Sequence, residues 1–166
     1  DHVVAGAGDD TLTPSGGNSS LFAGAGNDVV VVSGLGDYIY GGGGDDTLVG
    51  GAGSQTFVIN ADGGWDTIVS TDGAGDTLQL QDFSGDMEIT ATRAHDGSFL
   101  TLSFSQQGTD MGGVTIDLEH GELVGSISLN GSELDVEALY DGAAEVSAGT
   151  DDHQGLSEAQ IAGMAD

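Results

Sequence analysis

An apolar residue returns at every ninth position from the start of the chain: Val3, Leu12, Leu21, Val30, Ile39, Leu48 and Phe57. Two residues before each stand Asp1, Asp10, Ser19, Asp28, Asp37, Asp46 and Gln55, preceded by short stretches of mostly glycine and alanine such as "AGAGD", "AGAGN" and "GGGGD". A strict period of this kind means stacked units, none of which can bury its apolar face alone. The unit is short, so it has room for a loop of about six residues and a strand of about three, which is half a coil. Two units close one coil, and residues two units apart lie over one another at the strand spacing of about 4.8 Å. Val3, Leu21, Ile39 and Phe57 then point inward from one sheet, and Leu12, Val30 and Leu48 from the other.

The units "AGAGDDTLT" (Ala5 to Thr13), "AGAGNDVVV" (Ala23 to Val31) and "GGGGDDTLV" (Gly41 to Val49) resemble the repeats-in-toxin (RTX) nonapeptide G-G-x-G-x-D-x-U-x. The resemblance covers residues 1 to 58, with looser echoes to residue 80. It implies an all-β chain: a right-handed parallel β-roll of two short facing sheets with 18 residues per coil, then a β-rich C-terminal cap with one or two short helices. The expected organisation is a calcium-binding roll over 1–80, regular to 58 and divergent over 59–80, a β-rich capping region over 81–146, and a linker with a short terminal helix over 147–166.

Composition decides what such a roll needs. One apolar side chain per unit is a thin core, and the chain carries 31 glycines, whose ordering costs more backbone entropy than that of any other residue. There are 28 acidic residues against one basic residue, Arg93, for a formal charge of −27. A surface of this charge repels nucleic acid and anionic lipid, and calls for cations. Without cysteine there is no disulfide, thiol nucleophile or thiolate metal site. The longest apolar run, Val29 to Val32, is too short to cross a bilayer. Asp1, His2 and Val3 fit the last positions of an earlier unit, so the array is expected to continue upstream.

Sorted by coil, the polar column separates into two edges. One reads Asp10, Asp28, Asp46; the other reads Asp1, Ser19, Asp37, Gln55. Carboxylates about 5 Å apart repel by roughly 1 kcal/mol in water and by several times that nearer the protein interior, so the unbroken ladder is costly unless cations lie between its rungs. Calcium suits the slot, because it takes six to eight oxygens, backbone carbonyls among them. The expected sites lie between the loops of Asp10 and Asp28 and of Asp28 and Asp46, with a third involving Asp66 in "DGGWDTI" after a two-residue slip. Gly6, Gly8, Gly24, Gly26, Gly42 and Gly44 are expected to supply carbonyls, while Asp1, Asp37 and Asp76 rank behind as ligands. Asp9, Asn27 and Asp45 are expected to cap turns.

The residues just after the inward positions include Val4, Phe22, Tyr40 and Val58, an apolar column on the outer face of one sheet. Either the second half of the chain covers it, or it meets another subunit or domain. Beyond residue 58, "DTLQLQDF", "MEITATR", "SFLTLSFSQ", "VTIDLE" and "SISLN" alternate as strands. "SELDVEALY" suggests a short helix capped at its start by Ser132, and "LSEAQIAGM" a terminal helix with Ser157 and Gln160 as capping box and Leu156 and Ile161 as staple. This half resembles the β-rich segments that close calcium-binding rolls in secreted bacterial proteins.

Catalytic constellations are absent from the sequence. His2, His95, His120 and His153 are dispersed, without zinc spacing, and suit surface roles; no G-x-S-x-G occurs. Arg93 is expected as an internal ion-pair partner. Two function classes remain: a calcium-dependent structural or adhesion module of a secreted or cell-surface bacterial protein, and the C-terminal folding and secretion module of a secreted hydrolase. The resemblance implies a chain kept unfolded by charge repulsion in a calcium-poor cytosol, exported in that state, and folded by extracellular calcium. No nucleic acid partner and no membrane insertion are expected.

Overall fold

The computed structural model describes residues 1–61, 64–71, 75–118 and 125–146. The linker and helix expected over 147–166, His120 and His153 lie outside these residues.

Two sheets run the length of the molecule. The first orders β1 (His2–Ala7), β3 (Ser20–Ala25), β5 (Tyr38–Gly43), β7 (Thr56–Asn60), β9 (Thr77–Gln81), β13 (Ser126–Leu129) and β14 (Ser132–Leu134). The second orders β15 (Ala144–Val146), β10 (Met87–Ala94), β11 (Phe99–Gln106), β12 (Thr109–Asp117), β8 (Gly64–Ser70), β6 (Thr47–Gly50), β4 (Val29–Val31) and β2 (Thr11–Leu12). Successive strands of the chain alternate between the sheets up to β9, which makes a parallel β-roll of about 4 turns.

The ninefold period sets the register. Val3 pairs with Leu21, Leu21 with Ile39 and Ile39 with Phe57; opposite them Leu12 pairs with Val30 and Val30 with Leu48. Leu21, Ile39, Phe57, Val30 and Leu48 are fully buried, while Val3, in the end coil, is partly covered. The stack then absorbs insertions: Leu48 pairs with Ile68 and Phe57 with Leu78, so the column continues through a lengthened coil.

The cap prolongs both sheets. β13 joins β9 in parallel and turns back as β14, while β12 joins β8 in parallel and leads by antiparallel pairing to β11 and β10. Its strands alternate over longer runs, so Leu100, Leu102, Phe104 and Val114 give it a thicker core, with Phe83 set edge-to-face on Phe104 at 4.7 Å between ring centres. This covers the apolar end that the last coil would otherwise leave open.

Two local expectations need correction. Ser132 does not start a helix: it begins β14, held against β13 through Leu129. Helix α1 spans Val136–Gly142, capped by Asp135, whose side chain accepts from the Ala138 N–H. β12 also starts earlier than the alternation suggests, because Gln107 (φ 52°) and Gly108 (φ 79°) form a tight hairpin turn after β11. Arg93 sets its guanidinium 5.1 Å from the centre of the Tyr140 ring.

Candidate metal centre

The polar residue before each strand sits where one coil passes to the next, and its side chain binds the backbone of the coil before it. On the first edge the Asp10 N–H donates to Asp28 Oδ1 at 2.8 Å, the Asp28 N–H to Asp46 Oδ1 at 2.9 Å, and the Asp46 N–H to Asp66 Oδ1 at 2.9 Å. Asp66 is therefore the fourth rung, reached through the two-residue slip that pairs Thr47 with Thr67. On the second edge the Ser19 N–H donates to Asp37 Oδ1 at 2.8 Å, the Asp37 N–H to Gln55 Oε1 at 3.0 Å, and the Gln55 N–H to Asp76 Oδ1 at 2.7 Å. Asp1 heads this edge from an exposed position, its terminal amine 3.4 Å from Ser19 Oγ. Every rung needs an acceptor to satisfy a backbone N–H, so an apolar replacement would orphan that donor.

At Asp28 and Asp37 one carboxylate oxygen is thus committed to the backbone, and the other is left over. Asp28 and Asp37 are each 1% exposed, and the Oδ2 of each is buried without a hydrogen-bond partner in the protein. An ionised oxygen in that position costs several kcal/mol unless a cation compensates it. Asp46, also 1% exposed, turns its Oδ2 toward the Cα of Gly41, where a Cβ would overlap it. Asp10 is half-buried, and Asp66 and Asp76 are buried.

The glycines named from the sequence are all at positive φ, Gly6, Gly24 and Gly42 near the ends of β1, β3 and β5 and Gly8, Gly26 and Gly44 just beyond them, from 110° at Gly8 to 136° at Gly6. Close stacking explains the requirement at four of them, Gly24, Gly26, Gly42 and Gly44. A Cβ on Gly24 would overlap the carbonyl oxygen of Gly6, and one on Gly42 that of Gly24. Those carbonyls therefore lie in the seam between coils, on the edge of the aspartate ladder.

Asp9, Asn27 and Asp45 do not cap their own turns. They bridge coils in the opposite sense: Asp9 Oδ1 accepts from the Asn27 N–H at 2.9 Å, Asn27 Oδ1 from the Asp45 N–H at 3.0 Å, and Asp45 Oδ1 from the Trp65 N–H at 2.8 Å. Neighbouring residues such as Asp45 and Asp46 so tie each loop to the coil on either side. Sequence reasoning missed this second ladder, although its short acceptor side chains, recurring with the period, were the visible sign.

The neutral rungs hold a further feature that the sequence did not disclose. Ser19 Oγ donates to the Gly16 carbonyl at 3.3 Å. Gln55 Nε2 donates among three loop carbonyls, Gly34 at 2.9 Å, Ala52 at 3.2 Å and Gly53 at 3.3 Å.

Among the described residues no group of three or more His, Cys, Asp or Glu converges on one point. The available donors are instead single carboxylate oxygens and backbone carbonyls, a hard oxygen set that fits calcium rather than zinc. The fold is a parallel β-roll, and this edge offers the hard oxygen donors that a calcium ion takes. Residues 4–34 and 36–54 match the family model of the RTX calcium-binding nonapeptide repeat in 4 copies. The family is typical of secreted bacterial proteins, and its roll is a structural calcium-binding domain, not a catalytic one. No curated protein matches the chain. Among the described residues no helix is long and apolar enough to cross a membrane.

Proposed function

We propose that this chain is a calcium-dependent structural and adhesion module of a secreted or cell-surface bacterial protein, ordered by extracellular calcium after export. The observation that carries the reading is the buried, partnerless Oδ2 of Asp28 within a stack of carboxylates. Asp10, Asp28, Asp46 and Asp66 hold the ions, together with backbone carbonyls of Gly6, Gly8, Gly24, Gly26, Gly42 and Gly44. Asp37 has the same orphaned oxygen but neutral neighbours, Ser19 and Gln55, so its edge holds fewer ions. Asp1 and Asp76 are secondary, the first exposed and the second bonded through both oxygens, to the Gln55 N–H and the Ser70 hydroxyl.

Extracellular modules bind calcium with dissociation constants of about 10⁻⁴ to 10⁻³ M. Each site adds RT ln(1 + [Ca²⁺]/Kd) to the folded state, which is negligible in a calcium-poor cytosol and substantial outside. The experiment is hydrogen exchange of the whole chain in millimolar calcium and in chelator. Protection across residues 1–50 that disappears in chelator supports the reading; equal protection in both overturns it.

The outer column is the module's contact surface. Val4 (63% exposed), Phe22 and Tyr40 lie in register on neighbouring strands, with Val58 buried at the cap end, and Phe22 stacks within 5.8 Å of Tyr40 and 5.4 Å of His2. Contact with a second copy or a neighbouring domain predicts a solution mass that rises with concentration in calcium and falls when Phe22 is replaced by serine. A constant monomer mass contradicts self-association.

A further inference from the structure

Gln55 differs from every other rung in what its side-chain end does. Its Oε1 performs the shared task, accepting from the Asp37 N–H at 3.0 Å. Its Nε2, where an aspartate would present a second oxygen, donates to the carbonyls of Gly34, Ala52 and Gly53. Gly34 belongs to the loop of the coil above, and Ala52 and Gly53 to the loop of Gln55 itself. Three carbonyl oxygens from two successive loops converging on one point are the kind of oxygen set that holds a hard cation. Here that point is filled by an N–H₂ group with two protons for three acceptors, in a residue that is 1% exposed.

We infer that the Gln55 carboxamide stands in for a cation at this rung, so that the coil joining the roll to its cap closes with the protein's own donor and orders without metal. The neighbouring rung is closed in the same way. Asp76 accepts the Gln55 N–H with one oxygen at 2.7 Å and the Ser70 hydroxyl with the other at 2.5 Å. Two rungs above, Ser19 donates to the Gly16 carbonyl, a weaker form of the same substitution. Asp37, between them, keeps a buried oxygen with no donor. The Gln55 rung then closes without metal, whereas a carboxylate in its place would take an ion. The second step rests on the calcium reading above; the first does not.

Two measurements on the full chain decide it. In chelator, nitrogen-15 NMR should show the Gln55 side-chain amide protons exchanging at least about tenfold more slowly than those of an unstructured glutamine, as expected of a group within a locally stable unit. Free exchange in chelator overturns the inference. In calcium, Gln55→Glu keeps the length and the Oε1 acceptor but turns a second oxygen on the three carbonyls. Native mass spectrometry should then count one more calcium ion than in the parent protein, and an unchanged count overturns the inference. If the parent binds no calcium, the calcium reading fails while the chelator measurement still decides the role of Gln55. If the variant does not fold, the same measurement on the parent decides it.

Discussion

Along one edge of the roll the rungs read Asp10, Asp28, Asp46, Asp66; along the other they read Ser19, Asp37, Gln55, Asp76. Both edges do the same backbone work, since each rung after the first accepts an N–H from the coil before it, at 2.7 to 3.0 Å. They differ in what remains once that bond is made. On the first edge carboxylates stand at successive rungs, with a partnerless oxygen at Asp28, so burial and charge repulsion accumulate. On the second, Ser19 and Gln55 bring donors that satisfy loop carbonyls directly. A column that must accept a hydrogen bond can therefore tolerate serine or glutamine, and the choice between these and aspartate sets where a cation is needed.

The largest expected effect breaks the comparison at the loops. Gly42→Ala on the aspartate edge puts a Cβ into the Gly24 carbonyl at φ 112°, and should cost about 3 kcal/mol or more by thermal or urea unfolding in calcium. Gly16→Ala on the other edge meets nothing within 4 Å and should change stability by less than about 0.5 kcal/mol. Comparable losses at both positions would mean that the loops are not stacked as described.

A second pair of variants tests the charges. Asp28→Asn and Asp37→Asn both keep the Oδ1 acceptor for the preceding N–H and remove the charge. In calcium, Asp28→Asn should be the more destabilising, by about 1.4 kcal/mol for each tenfold loss of calcium affinity. In chelator the sign reverses for Asp28→Asn, which relieves repulsion of roughly 1 kcal/mol from its carboxylate neighbours. Asp37→Asn relieves the same burial of a charged oxygen but has neutral neighbours and relieves no repulsion, so its gain in chelator should be the smaller. Equal behaviour of the two in chelator would erase the electrostatic distinction between the edges.

Ser19→Ala should cost roughly 1 kcal/mol in calcium and leave the calcium affinity unchanged, because the bond it removes to Gly16 involves no metal. The smallest effect is outside the roll. The Ser84 hydroxyl first, then the Gln106 amide, hold the Asp86 carboxyl below its ordinary value. Its folded-state preference for the ionised form gives stability that is present above the ordinary carboxylate range and lost as pH falls through the lowered value. Asp86 is fully exposed, so Asp86→Asn should flatten the acid limb of a pH–melting curve only slightly and leave the calcium dependence unchanged.

Much of this contrast was legible in the sequence because a period of nine leaves the register no freedom. The inward columns, the stacking by two units and the slip that brings Asp66 under Asp46 follow from counting. The cap was legible as strands but not as partners: nothing local shows that β12 returns to β8 or that Ser132 is drawn into β14 by pairing rather than into the helix that Asp135 caps. The amide of Gln55 was also hidden. The sequence shows a lost aspartate, and only the convergence of the Gly34, Ala52 and Gly53 carbonyls shows a gained donor.

The most direct test is anomalous diffraction from crystals grown in calcium. Peaks should stand beside Asp28 Oδ2 and along its edge, with fewer on the edge of Asp37 and none beside Gln55 Nε2. Peaks of equal height on both edges, or an empty position beside Asp28, would contradict the account.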